Sequence, residues 1–548
     1  MKTRAAALDA IASKSFDLCV IGAGATGAGC ALDAQLRGLK TVLLDAGDFG
    51  GVTSSASTKI VHGGVRYLEQ AFRDVDAKQY RVVRRALHER IAMLNNAPYL
   101  ARRMEFVVPC YRWLDVAYLD AGLKLYDWIA GKARLSPSRF LSRDDTLQRL
   151  PALKRDNLVG SVVYADGQFD DARYSIALVE SFAAAGGETL NYARVIGFDR
   201  SNRGKLAACA VQDTIARKEF AVRARAFVNA TGPFADSLRT LATPGARPRM
   251  RLSKGSHILL PLDVMPGHDA MLIPKTEDGR VLFAVPWMGR LLVGTTEQEV
   301  TIHDELYVTR EEVTYLLRHL NQYLATAAGP EQIVSGFAGA RPLVSAGDSR
   351  GTKKLARDHE VEVDAQSGLI SIMGGKWTTY RAMAVDTIDA VQKGLGVEAR
   401  ASATKNCALV GCEGLGPGYA SGLSREYGVG EDVAAHLTAK FGSGAAKVLD
   451  LAKSDCELAT PIVEGFPALR AEAAYTARTE MAVTIEDVLS RRLGIQPYSW
   501  RLAIQAAPAV ASILGSELGW NADDIRAAAE QYMGKIKRLM VLAGVEPE

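Results

Sequence analysis

The run FDLCVIGAGATG, residues 16–27, constrains this chain more than any other stretch. Phe16 to Ile21 form a compact apolar segment that predicts a buried strand. Glycines follow at 22, 24 and 27, an alanine-rich helical stretch continues to Arg37, and a second apolar run, TVLL, ends at Asp45. Strand, glycine turn, helix, strand and acid in this order predict a dinucleotide-binding unit. Gly22 permits the tight turn, Gly24 lets the backbone approach a pyrophosphate, and Gly27 lets the helix pack closely on the strand. The helix N-terminus turns free N–H groups and the positive end of its dipole toward the phosphates. Asp45 is spaced to accept hydrogen bonds from an adenosine ribose, which favours FAD or NAD over NADP.

Two further stretches bear on a cofactor. The strand Ala226 to Val228 runs into Ala230, Thr231 and Gly232, and in flavoproteins a strand ending in A-T-G commonly returns to the same cofactor. An ordinary strand and turn would read the same way. The stretch TSSASTKIVHGGVRYLEQ, residues 53–70, lacks the periodicity of a strand and has too many glycines and small hydroxyls to begin a helix. It nevertheless carries Lys59, His62, Arg66 and Tyr67 close together.

At 548 residues the chain is long enough for two or three cores. With 48% hydrophobic and 23% charged residues it has a globular composition, and a formal charge of +4 is too mild to point to nucleic acid. No nucleic-acid partner is expected, while contact with an acidic membrane surface or an anionic metabolite is compatible with that charge. Seven scattered cysteines without C-x-x-C pairs predict buried free thiols in a reducing compartment. No apolar run approaches the ~18 residues that span a bilayer. MKTRAAALDAIASKS lacks the apolar centre of a secretory signal and predicts a short amphipathic helix or a frayed end. No EF-hand loop, zinc pattern or internal repeat is present in the sequence, and no metal is expected.

Four stretches give the chain a resemblance to the FAD-dependent glycerol-3-phosphate dehydrogenases, the respiratory type that passes electrons to quinone. The first is IGAGATGAGCALDAQLRG, residues 21–38, which departs from the family pattern only in having Ala23 where glycine is usual. The second is SSAS, residues 54–57, with HGGVRYLE, residues 62–69. The third is KGSHILLP, residues 254–261, with VPWMGRLLVGTTE, residues 285–297. The fourth is GARPL, residues 339–343, followed by ARDHE and by GGKWTTYRAMA, residues 374–384.

The resemblance implies an α/β fold with a Rossmann-like FAD-binding domain of the glutathione-reductase/D-amino-acid-oxidase type. That discontinuous domain is expected over residues 16–75, 155–235 and 336–400. An interleaved substrate domain on an antiparallel sheet is expected over 76–154 and 236–335, and a helical C-terminal domain over 401–548. The implied reaction oxidises sn-glycerol 3-phosphate to dihydroxyacetone phosphate, with a hydride passing to FAD and electrons going on to quinone. Such a site must hold a phosphate with cations, accept a hydroxyl proton, and place positive charge where the reduced flavin gathers electrons.

By resemblance, Arg66, Arg341, Arg357 and Lys376 line the substrate pocket with Tyr67 beside the phosphate. Thr53, Ser54, Ser55 and Ser57 are expected near the cofactor, as are Gly375, Lys376 and Thr378 near its ring. His62 is the leading candidate for the proton acceptor, since an ordinary imidazole titrates near neutrality and the following Gly63 and Gly64 allow close approach. His257 is its rival, and Arg341 is a further candidate for orienting the C2 hydroxyl. Three competing functions stay open: an oxidase that reduces O₂, an enzyme for another polyol phosphate such as erythritol phosphate, and a flavin-binding sensor without turnover.

Arg81, Arg84, Arg85 and His88 are predicted on one helical face and Val83, Leu87, Ile91 and Leu94 on another. YRWLDVAYLDAGLKLYDWIAGK, residues 111–132, reads either as an interfacial helix near a quinone pool or as core packing. A cytoplasmic enzyme peripheral to the inner (plasma) membrane, and a homodimer, are the corresponding expectations. GLGPGYASG, residues 414–422, reads as a linker to a helical region. In that region TIEDVLSRRLG predicts a helix capped by Thr484, with early acids and with late basics Arg491 and Arg492 at its C-terminus.

Overall fold

Two β-sheets carry the fold in a computed structural model that describes residues 1–64, 77–301, 306–345 and 359–547. The first sheet has a parallel centre: Ile370–Gly374, Lys218–Asn229, Ser15–Ile21, Thr41–Leu44 and Glu188–Leu190, in that order. Antiparallel strands Leu206–Asp213, Ala193–Arg200 and His359–Val363 extend it. Ser15–Ile21 is buried along nearly its whole length because both faces of a parallel sheet are covered. Helix Ala25–Leu36 lies against helices Asp171–Ala184 and Tyr380–Leu395. The register pairs Ile21 with both Leu44 and Asn229, so Gly22, Asp45 and Ala230 converge at the carboxyl ends of three strands. Ligands of such sheets bind there.

The second sheet is largely antiparallel and has ten strands among the described residues, with the long Met250–Pro261 paired along most of its length to Ser335–Val344. Ala101–Cys110, Gly160–Phe169, Ala270–Ile273, Leu282–Trp287 and Arg290–Gly294 are its other main members. Gly160–Phe169 and Ser335–Val344 fall largely in ranges expected for the cofactor unit, yet they pair in this sheet. The residues of a strand carry no information about which distant strand it pairs with.

After residue 400 the described elements are helical. Residues 423–471 pack a small core of their own around Leu423, Leu437, Phe441 and Val448. Val488, Trp500, Ala503 and Val510 instead share a core with Ile258, Met271 and Leu291 of the second sheet. Within the expected linker, a helix already begins at Tyr419.

Thr484 caps as expected: its hydroxyl accepts the Asp487 N–H, and the Asp487 carboxylate accepts the N–H groups of Val483 and Thr484. The rest of that helix departs from expectation. Asp487–Arg492 is a widened π-type turn, and Arg491 and Arg492 are buried against Asp48 rather than lying at a solvated helix end. A buried carboxylate elsewhere in the chain claims both arginines, which a local capping pattern cannot foresee.

On helix Ala77–Asn96, Val83 and Leu87 are buried while Arg81, Arg84 and His88 are exposed. Arg85 leaves that basic face: it donates to Asp386 at 2.8 Å and to the Ala382 carbonyl. Arg4–Ser13 is a helix that buries Ala7 and Ile11. Cys19, Cys30, Cys110 and Cys209 are buried, whereas Cys407 and Cys412 are half-buried and Cys456 is exposed, contrary to uniformly buried thiols. Among the described residues no helix is long and apolar enough to cross a membrane.

Candidate active site

One elongated cavity of about 1770 Å³ runs from the carboxyl ends of the parallel strands to the inner face of the second sheet. That exceeds the roughly 300–1,000 Å³ of an ordinary small-molecule pocket and suits an extended dinucleotide with a second ligand beyond it.

Backbone makes the cofactor end. Gly22 has φ of +100°, and a Cβ there would stand 2.6 Å from the Ala230 carbonyl oxygen. A Cβ on Gly24 would meet the Ser54 hydroxyl at 2.9 Å, and one on Gly27 would lie 1.7 Å from the Gly22 oxygen. The turn therefore exists only with glycines, and Gly22 and Gly24 line the cavity while Gly27 faces the turn. Ala23, the departure from the family pattern, is buried and donates its N–H to Asp45 Oδ2 at 2.6 Å. Gly47 N–H donates to Asp45 Oδ1 at 2.9 Å. Burial pushes the Asp45 carboxyl up to about 6, and these two N–H groups oppose that rise. Thr231 and Gly232 line the same end; the Thr231 hydroxyl donates to Asn229 at 2.7 Å. A shallow cradle with a helix N-terminus and a ribose-facing acid fits the diphosphate and ribose of FAD.

Residues 53–59 bridge the two sheets. Ser54 Oγ accepts the Ala25 N–H at 2.9 Å, Thr53 Oγ1 donates to the Ala340 carbonyl at 2.7 Å, and Ser57 N–H donates to Asp171 at 2.9 Å. Thr53, Ser54 and Ser57 line the cavity. Ser55 is not among the lining residues; its carbonyl accepts Lys59 Nζ at 2.7 Å. Lys59 is 2% exposed, paired with Asp171, and stands over the rings of Phe337 and Trp287. It is thus a buried pin holding this aperiodic segment, a role the sequence did not identify.

Side chains make the far wall. His257 and Arg341 project from adjacent antiparallel strands. Gly255 leaves space for Arg341, since a Cβ on it would meet the guanidinium at 2.5 Å; Arg341 donates to Thr295 Oγ1 at 2.9 Å. His257 stacks on Phe337 at 4.9 Å, and its Nε2 lies 2.9 Å from Thr58 Oγ1. Burial, with the Arg341 and Lys59 cations nearby, holds this imidazole well below its ordinary titration range, so it is neutral. His62 is half-buried and lines the cavity, its ring 6.3 Å from that of Phe283; its backbone N–H donates to Thr378 Oγ1 at 3.3 Å.

Gly375, Lys376 and Thr378 complete the middle of the cavity. Gly375 has φ of +81°, and a Cβ there would strike the Met383 sulfur at 2.4 Å. Below them Trp377 donates to the Ser54 carbonyl and packs edge-on against Phe169, Tyr174 and Tyr380. The structure therefore brings His62, His257, Arg341, Lys376 and the cofactor cradle to one cavity. Arg66, Tyr67 and Arg357 lie outside the described residues.

Phe283, Thr295 and Glu297 also line this cavity, as do Glu486 and Arg491 from the helical region. Thr295 and Glu297 sit within a family stretch, but no local pattern distinguishes Glu486 or Arg491. Tyr118, Leu119 and Gly122 border the cavity on helix Trp113–Ala130. The same helix exposes Trp113 (68%), Leu114 (79%), Tyr118 (60%) and Trp128 (70%). Core packing, one of its two sequence readings, applies instead to Val116, Leu123 and Tyr126.

Residues 17–381 match the FAD dependent oxidoreductase family, and residues 402–525 match the C-terminal domain of alpha-glycerophosphate oxidase. The human mitochondrial glycerol-3-phosphate dehydrogenase is 38% identical over 520 residues, covering 93% of this chain and 71% of the human protein. Its Arabidopsis thaliana counterpart is 36% identical over 555 residues, covering 98% and 87%. Among solved structures, the glycerol-3-phosphate dehydrogenase of Bacillus halodurans in complex with FAD superposes with a TM-score of 0.81. It shares 29% identity and covers 100% of this chain and 99% of its own. The FAD-bound L-alpha-glycerophosphate oxidase of Mycoplasma pneumoniae shares the fold, at a TM-score of 0.56 and 16% identity over 72% of this chain.

Proposed function

The chain belongs to the FAD-dependent glycerol-3-phosphate dehydrogenase family, and from that membership we propose that it oxidises sn-glycerol 3-phosphate in the cavity between its two sheets. The supporting observation is the meeting, in one cavity, of the glycine cradle with Arg341, Lys376, His62 and His257. When bound, FAD supplies the acceptor for the hydride from C2 of the substrate. The Gly22–Gly24 turn would hold its diphosphate, Asp45 its ribose, and Gly375, Lys376 and Thr378 its ring.

Arg341 and Lys376 replace the hydration of the substrate phosphate and hydroxyls; Arg66, Tyr67 and Arg357 carry the same expectation from sequence alone. A guanidinium fork gives paired hydrogen bonds and lysine a mobile point charge. His62 takes the C2 hydroxyl proton. It is preferred to His257 because it is half-buried on the cavity wall, whereas His257 is 2% exposed with Nε2 engaged by Thr58. Neutral His257 positions Thr58 and adds no repulsion to Arg341.

Electrons leave to a quinone at the mouth bordered by Tyr118, Leu119 and Gly122. The exposed Trp113, Leu114, Tyr118 and Trp128 rest on an acidic membrane surface at the cytoplasmic side of the inner membrane, where amphipathic aromatic rings are favoured. Anaerobic mixing tests the substrate. The flavin absorption bleaches with sn-glycerol 3-phosphate but not with glycerol or erythritol phosphate; bleaching only with another polyol phosphate would overturn the assignment. Rapid air reoxidation with stoichiometric peroxide would replace quinone by O₂ as acceptor. Flotation with anionic vesicles, lost on Trp113→Ser with Trp128→Ser, tests the membrane face.

A further inference from the structure

The adenosine end of the cavity has a wall that the glycine fingerprint does not provide. Three segments distant in sequence meet there: Asp45–Asp48 after the second parallel strand, Tyr192–Ile196, and Glu486 with Arg491 from the helical region. They are bonded to one another. Tyr192 N–H donates to the Gly47 carbonyl at 2.8 Å, and the Tyr192 hydroxyl donates to Asp487 Oδ1 at 2.7 Å. Arg491 Nε donates to Asp48 at 2.5 Å, and Arg492 pairs with the same carboxylate. Arg173, paired with Glu480 at 2.7 Å, and Lys440, paired with Asp170 at 2.7 Å, fasten the helical region further.

The element that reaches the cavity is itself unusual. In Asp487–Arg492 the Leu493 N–H reaches back five residues to Val488 at 2.9 Å. Turns of this kind inside helices are rare and concentrate at functional sites. Arg491 and Arg492 are both below 7% exposed and are locked by Asp48, Asp487 and Glu480. Glu486 is half-buried, its carboxylate 2.7 Å from Lys535 Nζ and 3.6 Å from Arg491. An anionic acceptor and a fixed cation thus line the same cavity as Asp45.

We infer that the widened turn of the helical C-terminal region is part of the FAD site, with Glu486 and Arg491 holding the adenosine half of the cofactor. Glu486 offers an acceptor to the hydroxyl and amino hydrogens of adenosine. Arg491 offsets the Asp45 and Asp48 carboxylates beside the diphosphate and ties Glu486 to the loop that carries them. This rests on the FAD reading of the cavity, and it gives the C-terminal region a function: it closes the cleft over the part of the cofactor that does no chemistry.

The test uses full-length apoprotein stripped of FAD, with ADP as the probe for the adenosine half. FAD and ADP affinities are measured by calorimetry, and unfolding of the apoprotein is followed in parallel, for wild type, Glu486→Ala and Arg491→Met. Each variant should weaken FAD and ADP by the same factor, about tenfold in Glu486→Ala for one lost charge-assisted hydrogen bond. Glu486→Ala, which loses its ion pairs with Lys535 and Arg491, should lower the apoprotein Tm modestly yet leave it folded at the temperature of the titration; it serves if Arg491→Met fails to fold. Unchanged FAD affinity in folded Glu486→Ala, or weaker FAD with unchanged ADP, would overturn the inference. Failure of wild-type apoprotein to bind FAD would instead remove the cofactor reading on which it rests.

Discussion

The cofactor cradle and the wall opposite it are built by opposite means. The cradle is backbone: Gly22, Gly24 and Gly27 fall within six consecutive positions, and its specificity lies in the absence of side chains. The wall is side chains: His257 and Arg341 come from strands that are remote in sequence but adjacent in the second sheet, and each needs a glycine opposite it. A Cβ on Gly294 would lie 2.1 Å from His257, as one on Gly255 would meet Arg341. At Gly22 and Gly27 the cradle tolerates no substitution because a Cβ would meet backbone. The wall should tolerate truncation structurally and lose chemistry instead.

The largest effect should follow Gly27→Ala. Its Cβ would meet a backbone oxygen at 1.7 Å, with no side chain able to yield, so the helix must leave the strand. FAD content, read from the ratio of visible to ultraviolet absorbance, should fall to near zero. Retention of the full complement would contradict a backbone-defined cradle.

Next in size is the pin between the two regions. Lys59→Met leaves Asp171 buried without its counter-charge, a change that costs about 3–5 kcal/mol. Chemical denaturation should show that loss, and Lys59→Met combined with Asp171→Asn should recover most of it. Equal instability in the double variant would mean that Lys59 acts through its contacts with Phe337 and Trp287 instead.

A smaller effect separates cofactor binding from folding through pH. Burial raises Asp45 to about 6, above its unfolded value near 4. Its contribution to apoprotein stability is therefore present below about pH 4 and is lost as pH rises through 6. On the proposed role of Asp45, FAD affinity runs the other way, because ribose hydroxyls would donate to the ionised carboxylate. Titrations should give about tenfold weaker binding at pH 5 than at pH 7, and Asp45→Asn should flatten the dependence.

How much could be read in advance follows the same division. Residues 16–45 announce their structure because strand, turn, helix and acid are contiguous, and the observed strand Ser15–Ile21 and helix Ala25–Leu36 fall where the spacing puts them. Strands Gly160–Phe169 and Ser335–Val344 lay largely in ranges expected for the cofactor unit, but the sheet they join depends on partners far along the chain. Arg491 and Arg492 read as helix-end cations because sequence displays the helix dipole and conceals Asp48, some 440 residues away. Lys59 attracted attention as a charge in an aperiodic segment, yet only Asp171 beneath it explains why it is there.

The division of labour between cradle and wall is tested most directly by anaerobic single-turnover reduction of Arg341→Met by sn-glycerol 3-phosphate. The account predicts an FAD content and visible spectrum like those of the parent protein, with the rate of bleaching at subsaturating substrate reduced about a hundredfold or more, the effect of losing a charge-assisted contact to the reacting substrate. Parent-like bleaching in a variant with full FAD would contradict it.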